Sequence, residues 1–195
     1  MSLALPPAPT PPRARMLFVG TALVCAGATM VMMSMVGLYL FFRDQAGGTS
    51  AAWIPEGTGI PDVAANIMII TLLGASIMAQ WAVYAIARDD RRNCIVALVV
   101  TVLFGVAVFN AQAYIYQQMV LGIASGVYAT LFFTLTGTFL AALLGGILFT
   151  VVTAFRELGG RYSSRRHEGI SSMALYWHFL TVVFAVIWLA VYVTK

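Results

Sequence analysis

Charged residues are scarce in this sequence. Asp, Glu, Lys and Arg make up 9% of the 195 residues, whereas a soluble domain carries about 25%. Hydrophobic residues account for 61%, and they form apolar runs of the length, about 20 residues, that a helix needs to cross a bilayer. This pattern argues against a soluble domain. The net charge of +4 comes from basic residues beside the apolar runs, so it indicates membrane topology and no nucleic-acid partner.

The apolar runs also lack the residues that ion pathways need. They predict a bundle of five transmembrane helices, with spans at about 16–42, 64–87, 94–114, 126–155 and 173–193. No span contains Asp, Glu, Lys, Arg or Pro. Ionisable groups or helices broken at mid-depth usually mark a transport path. The sequence therefore argues against ion-coupled transport by this chain alone.

Ligands for a redox centre are equally few. The two cysteines, Cys25 and Cys94, lack the close spacing of a metal or disulfide motif. The two histidines, His167 and His178, are three helical turns apart on one segment and could not clamp a haem from opposite faces. The clustered methionines before residue 36 point in different directions on a helix. We therefore predict no catalytic residue, no metal site and no cofactor held by this chain.

The arginines predict the orientation of the bundle. Residues 1–15 form a Pro-rich segment that we expect to be a disordered cytoplasmic tail, and residues 16–195 form the membrane domain. With the N-terminus inside, the cytoplasmic segments hold Arg13, Arg15, Arg88, Arg91, Arg92, Arg156, Arg161, Arg165 and Arg166, whereas the outer segments hold Arg43 and Lys195. This asymmetry predicts a cytoplasmic N-terminus and an external C-terminus.

Three patterns concern helix packing. Gly137, Ala141 and Gly145 recur every four residues, which predicts a face where another helix backbone approaches closely, or else reflects ordinary small residues of a membrane helix. Four amide side chains lie within the predicted spans and need hydrogen-bond partners, either within the chain or in a neighbouring subunit: Asn66, Gln80, Asn110 and Gln112. A packing or lipid-facing stripe is predicted for Trp177, Thr181, Phe184, Trp188 and Tyr192.

The segment Tyr176-Trp177-His178-Phe179, followed by an apolar run to Trp188 and Tyr192, resembles the YWHFVDVVW signature that opens the last helix of haem-copper oxidase subunit III. Other motifs of the family occur in the same order. They are YLFFR (39–43), Asn66 with Leu72, Leu73 and Ser76, then Thr101, Gly105, Phe109, Gln112 and Tyr116, then FFTLTG (132–137) with Gly145, and finally His167 with Gly169. The chain resembles a divergent five-helix form of this family.

Several ionisable residues of the family pattern are replaced here. Ala28 stands at the position of the intramembrane glutamate, Phe139 and Ala142 at two histidines, Thr181 at an aspartate and Ile115 at a glutamate. These replacements put in doubt any carboxylate-based support of proton uptake.

The resemblance implies a non-catalytic accessory subunit of a respiratory oxidase in a bacterial cytoplasmic membrane. Such a subunit packs beside catalytic subunit I, which holds haem and copper, and binds phospholipid. The resemblance suggests Trp177 and His178 as lipid or subunit contacts near the cytoplasmic interface. Arg161, Arg165 and Arg166 are either ligands of anionic headgroups or plain topology determinants. The alternatives are a subunit III homologue associated with nitric oxide reductase, or a stand-alone transporter or assembly factor.

Overall fold

The computed structural model describes residues 15–49, 53–55, 57–119, 121–122 and 125–194. The predicted Pro-rich tail lies outside these residues, except for Arg15. Five long helices are present in the described part of the chain: α1 (Met16–Gln45), α2 (Asp62–Ala87), α3 (Arg91–Gln118), α4 (Val127–Leu158) and α5 (Glu168–Trp188). The last helix continues as one π-helical turn, Leu189–Val193.

All five helices are long and apolar enough to cross a membrane. This confirms the predicted all-α membrane bundle. The helices extend beyond the predicted spans because polar residues continue their ends. The clearest case is α5, which begins at Glu168, where the Ser172 hydroxyl donates to the Glu168 carbonyl within the first turn.

Helix α5 lies at the centre of the bundle. It packs against α1, α2 and α4, while α3 packs between α2 and α4. In its most apolar 18-residue window, 56% of the residues are buried, compared with at most 33% in the other helices. Four members of the predicted aromatic stripe are buried, namely Trp177, Thr181, Phe184 and Tyr192. The stripe is therefore an internal packing surface.

The described arginines lie mainly at one end of the bundle. Because the helices alternate in direction, one end of the bundle carries the start of α1, the α2–α3 loop and the α4–α5 loop. This end, called the basic end below, holds Arg15, Arg88, Arg91, Arg92, Arg156, Arg161, Arg165 and Arg166. The opposite end holds Arg43, which donates to the Thr194 hydroxyl at 2.9 Å.

Candidate functional site: a basic pocket at one end of the bundle

The C-terminus of α4 turns the chain back over the end of the bundle. The Arg161 N–H donates to the Arg156 carbonyl at 3.1 Å, and the Gly160 N–H donates to the Glu157 carbonyl at 2.8 Å. This pair of bonds is the Schellman arrangement, which needs a left-handed residue after the helix. Gly160 supplies it with φ of +70°. A tight turn follows, closed by two backbone bonds between Ser163 and Arg166.

This loop and the start of α1 line a half-open cavity of about 610 Å³. Its walls are strongly basic: five arginines and His167 line it, together with a single acidic residue, Glu168. The five arginines are Arg15, Arg156, Arg161, Arg165 and Arg166. Leu17 and Phe18 add an apolar wall where α1 enters the bundle. The cavity therefore combines cationic and apolar surfaces, as a site for an amphiphilic anion requires.

Two contacts fix the floor of this basic pocket. The Glu168 carboxylate accepts a hydrogen bond from the Phe18 backbone N–H at 3.0 Å, so α5 provides an acceptor for a free donor at the start of α1. The Tyr162 hydroxyl lies so close to Gly169 that a Cβ there would overlap it. The Nδ1 atom of His167 is buried and finds no hydrogen-bond partner among the described residues.

The α2–α3 loop braces the loop that carries the arginines. The Asp89 carboxylate accepts a hydrogen bond from the Ser164 backbone N–H at 2.7 Å. Hydrogen bonding from the side chain and backbone of Ser164, with a smaller contribution from the charge of Arg165, lowers the pKa of Asp89 below its ordinary value. The carboxylate thus remains ionised near neutral pH and holds the two loops together.

A buried ion pair, which was not predicted from the sequence, lies near the contact between Asp89 and Ser164. Glu157, in the last turn of α4, has a side chain with 0% exposure and accepts from the half-exposed Arg91 guanidinium at 3.0 Å. The same guanidinium donates to the Glu157 carbonyl at 2.6 Å. Spacing along the chain gives no signal for this pair, because 66 residues separate its members.

The residues expected to contact lipid or a subunit form two separate groups. Arg161, Arg165 and Arg166 come together in the basic pocket. Trp177 does not join them. Its side chain is fully buried, and its Nε1 donates to the Thr150 hydroxyl at 2.8 Å. The expectation that Trp177 touches lipid or a neighbouring subunit is therefore corrected, since the residue has no surface outside the bundle.

His178 also lies away from the basic pocket. It is ten residues into α5, about 15 Å along the helix axis from Glu168. Its Nε2 faces the Gln80 carbonyl oxygen at 3.1 Å, and its Nδ1 makes a short contact with the Ser76 hydroxyl. Because the amide oxygen can only accept, Nε2 carries the proton and Nδ1 accepts from Ser76. Within the chain, His178 therefore forms a polar link between α5 and α2, and its expected contact with lipid or a subunit stays a prediction.

The predicted small-residue face of α4 is largely unoccupied within the chain. A Cβ at Gly137 would meet nothing within 4 Å, and Ala141 and Gly145 are exposed. Close packing inside the chain occurs instead at Gly146, against Leu180 and Tyr176. A neighbour for the 137/141/145 face stays a prediction.

Clusters of metal-ligating side chains are also absent from the described ranges. No group of three or more His, Cys, Asp or Glu residues there could hold a metal ion. Cys25 and Cys94 are both buried as free thiols. Fold and site together define an integral multi-pass membrane protein whose described arginines lie mostly at one end of the bundle.

Comparison with known proteins identifies the family within this class. The family model of cytochrome c oxidase subunit III matches residues 48–195. Cytochrome c oxidase subunit 3 of Bos taurus is 32% identical over 121 residues, covering 62% of this chain and 46% of that protein. The Triticum aestivum subunit 3 is 29% identical over 169 residues, covering 83% of this chain and 63% of that protein.

A bacterial relative gives the same result. A protein of Rickettsia felis described as a probable cytochrome c oxidase subunit 3 is 32% identical over 130 residues, covering 66% of this chain and 46% of that protein. The chain belongs to the cytochrome c oxidase subunit III family, which confirms the resemblance read from the motifs. The matched region spans about half the length of several of these relatives.

Proposed function

We propose that this chain is a non-catalytic accessory subunit of a respiratory haem-copper oxidase. It packs beside the catalytic subunit I and other membrane subunits, and it stabilises them during oxygen reduction and electron transport. The match of residues 48–195 to the subunit III family carries this proposal. The basic end faces the cytoplasm of a bacterial cell, in agreement with the excess of arginine there.

The positions where the family pattern has ionisable groups support an accessory role. Phe139 packs against Phe184, with ring centroids 4.8 Å apart and the ring planes tilted. Ile115 is fully buried, and the Thr181 hydroxyl donates to the Trp177 carbonyl at 2.9 Å. These side chains serve packing, and none of them carries a group that is ionised at neutral pH. Haem and copper belong to the partner subunits in this proposal.

The basic pocket binds the headgroup of an anionic phospholipid. Its arginines attract a phosphate, and each basic residue near a membrane surface contributes about 1 kcal/mol to the binding of anionic lipid. Leu17 and Phe18 line the same cavity and offer the acyl chains an apolar surface beside the headgroup. Arginines that served only as topology determinants would not need to line one shared cavity.

The accessory role is tested by turnover. The oxidase is purified with and without this chain, and oxygen consumption is followed until activity is lost. The proposal expects equal initial rates and an earlier loss of activity in the complex without the chain. An equal lifetime of the two preparations would contradict it.

The lipid site is tested by native mass spectrometry of the oxidase with added phosphatidylglycerol. A variant with Arg161→Ala, Arg165→Ala and Arg166→Ala should retain at least tenfold less lipid, as expected for the loss of three cationic groups. The control combines Arg88→Ala with Arg92→Ala, because these two residues lie at the same end but do not line the pocket. Equal lipid loss in both variants would contradict a specific site, because it would show that the total charge of this end retains the lipid.

A further inference from the structure

The side-chain amides within the membrane-spanning helices differ in how they are satisfied. The Asn66 carbonyl oxygen accepts from Trp188 Nε1 at 2.9 Å, and the Gln80 carbonyl oxygen contacts His178 Nε2. Gln112 is fully buried inside the bundle, where its Nε2 and Oε1 atoms have no hydrogen-bond partner among the described residues. These three amides are therefore directed towards other parts of the same chain.

Asn110 differs from these three amides because it points away from the bundle. It is exposed on the outer face of α3 and forms no hydrogen bond with any described residue. Exposed hydroxyls on the other helices behave differently, since Ser34, Thr71 and Thr134 each donate to the carbonyl four residues earlier in their own helix. An asparagine amide has two N–H donors and one acceptor oxygen, which is more hydrogen-bonding capacity than its own helix can satisfy.

The depth of Asn110 makes this exposure costly. It lies five to six residues from the middle of α3, which corresponds to about 8 Å along the helix axis. The hydrocarbon core extends about 15 Å to either side of its centre. Acyl chains offer no hydrogen-bonding group, and an unsatisfied amide in hydrocarbon costs several kcal/mol.

Neighbouring residues on the same face have the spacing of a helix-packing seam. Val99, Leu103, Val106 and Asn110 are separated by four, three and four residues, and the three apolar members are 49%, 61% and 51% exposed. Alternating steps of three and four keep one side of a helix towards a partner helix. A single asparagine in such an apolar seam fixes the register of the two helices.

We propose that this face of α3, called the Asn110 face, binds a transmembrane helix of another subunit of the oxidase. The partner helix presents an amide, hydroxyl or carboxyl side chain at the depth of Asn110, and the apolar members of the seam pack against it. The inference rests on the proposed function, in which this chain contacts other subunits of the oxidase within the bilayer. Lipid alone does not satisfy the amide.

Photo-cross-linking in native membranes tests the identity of the partner. p-Benzoylphenylalanine is placed at position 110 or 106, and at position 70 on the outer face of α2 as a control, since Ile70 is 67% exposed there. The proposal expects one cross-linked band with another oxidase subunit from positions 110 and 106 that position 70 does not give. Cross-links from position 110 to lipid alone, or to a second copy of this chain, would overturn it.

Substitution tests the role of the amide. Asn110→Leu should reduce the retention of this chain in the detergent-purified complex about three- to tenfold, as expected for one lost interhelical hydrogen bond. Ser34→Ala is the matched control, because Ser34 on α1 is exposed but bonded to its own helix. Unchanged retention of the Asn110→Leu variant would overturn the inference and leave the proposed function intact. Failure of the native chain to co-purify with haem would contradict the proposed function itself.

Discussion

At the scale of single residues, the basic end depends on a few positions where no other side chain fits. Gly169 is the second residue of α5 and lies beneath the Tyr162 hydroxyl, and Gly160 adopts a left-handed conformation that residues with side chains rarely adopt. Both glycines lie in or beside the loop that carries the arginines. Gly160 shapes the basic pocket through its backbone conformation, and Gly169 does so by allowing the Tyr162 side chain to approach closely.

Gly169→Ala should disturb the basic pocket. The added methyl group overlaps the Tyr162 hydroxyl, so Tyr162 must move and the pocket floor shifts with it. We expect a loss of about 1–3 kcal/mol in stability, the usual cost of overpacking, and weaker retention of phosphatidylglycerol in native mass spectrometry. Gly159→Ala is the control, since a Cβ there lies 3.6 Å from its nearest neighbours. Full lipid retention in Gly169→Ala would contradict the packing argument.

Arg91→Ala should destabilise the bundle by leaving the buried Glu157 carboxylate unpaired. We expect a loss of about 1–3 kcal/mol in the free energy of unfolding, below the cost for a fully buried pair, because the Arg91 side chain is 50% exposed. The decisive comparison is the double variant Arg91→Ala with Glu157→Gln, which should recover part of the loss by removing the buried charge. Arg92→Ala serves as the control. A double variant no better than Arg91→Ala alone would count against the ion pair.

At the scale of elements, stability depends on how α5 meets its neighbours and on how the loops of the basic end are joined. Trp177 on α5 packs where Gly105 of α3 leaves room for its ring. Asp89 joins the α2–α3 loop to the α4–α5 loop through Ser164. The first contact lies within the membrane and is apolar, whereas the second is exposed and depends on charge.

Gly105→Ala and Gly137→Leu should separate packing within the chain from packing on a neighbour. A Cβ at position 105 would lie 2.8 Å from both Ile147 and Trp177, so we expect Gly105→Ala to destabilise the isolated chain by about 1–3 kcal/mol. A Cβ at position 137 meets nothing within 4 Å, so Gly137→Leu should fold normally and be lost from the complex. Thermal unfolding in detergent and recovery with the complex measure the two effects. Normal recovery of Gly137→Leu would argue against a neighbour on that face.

The contact between Asp89 and Ser164 should weaken in acid. The pKa of Asp89 is lowered in the folded protein, so its contribution is complete above the ordinary carboxyl pKa of about 3.9 and is lost as the pH falls through the lower folded value. Hydrogen exchange of the Ser164 amide, corrected for intrinsic pH effects, should lose protection in that range. In Asp89→Asn the protection should be weaker and independent of pH. A native chain without pH dependence would contradict this assignment.

At the scale of the whole molecule, much of the fold could be predicted because lipid imposes simple rules on composition. The length of the apolar runs predicts five transmembrane helices, and the YWHF and FFTLTG motifs indicate the subunit III family. The packing could not be predicted in the same way. Trp177 and Arg161 were both expected to contact lipid or a subunit, and only tertiary contacts show that Trp177 is enclosed and that Arg161 lines a pocket. The Arg91–Glu157 pair joins distant segments, which helical periodicity does not relate.

The most direct test of the whole account is purification of the oxidase through this chain in a mild detergent, followed by a haem spectrum. We predict that the chain elutes with a larger, haem-containing subunit, and that the chain separated from that complex shows no haem absorption. A chain that elutes alone, or one that carries a haem bound by its own side chains, would contradict the account.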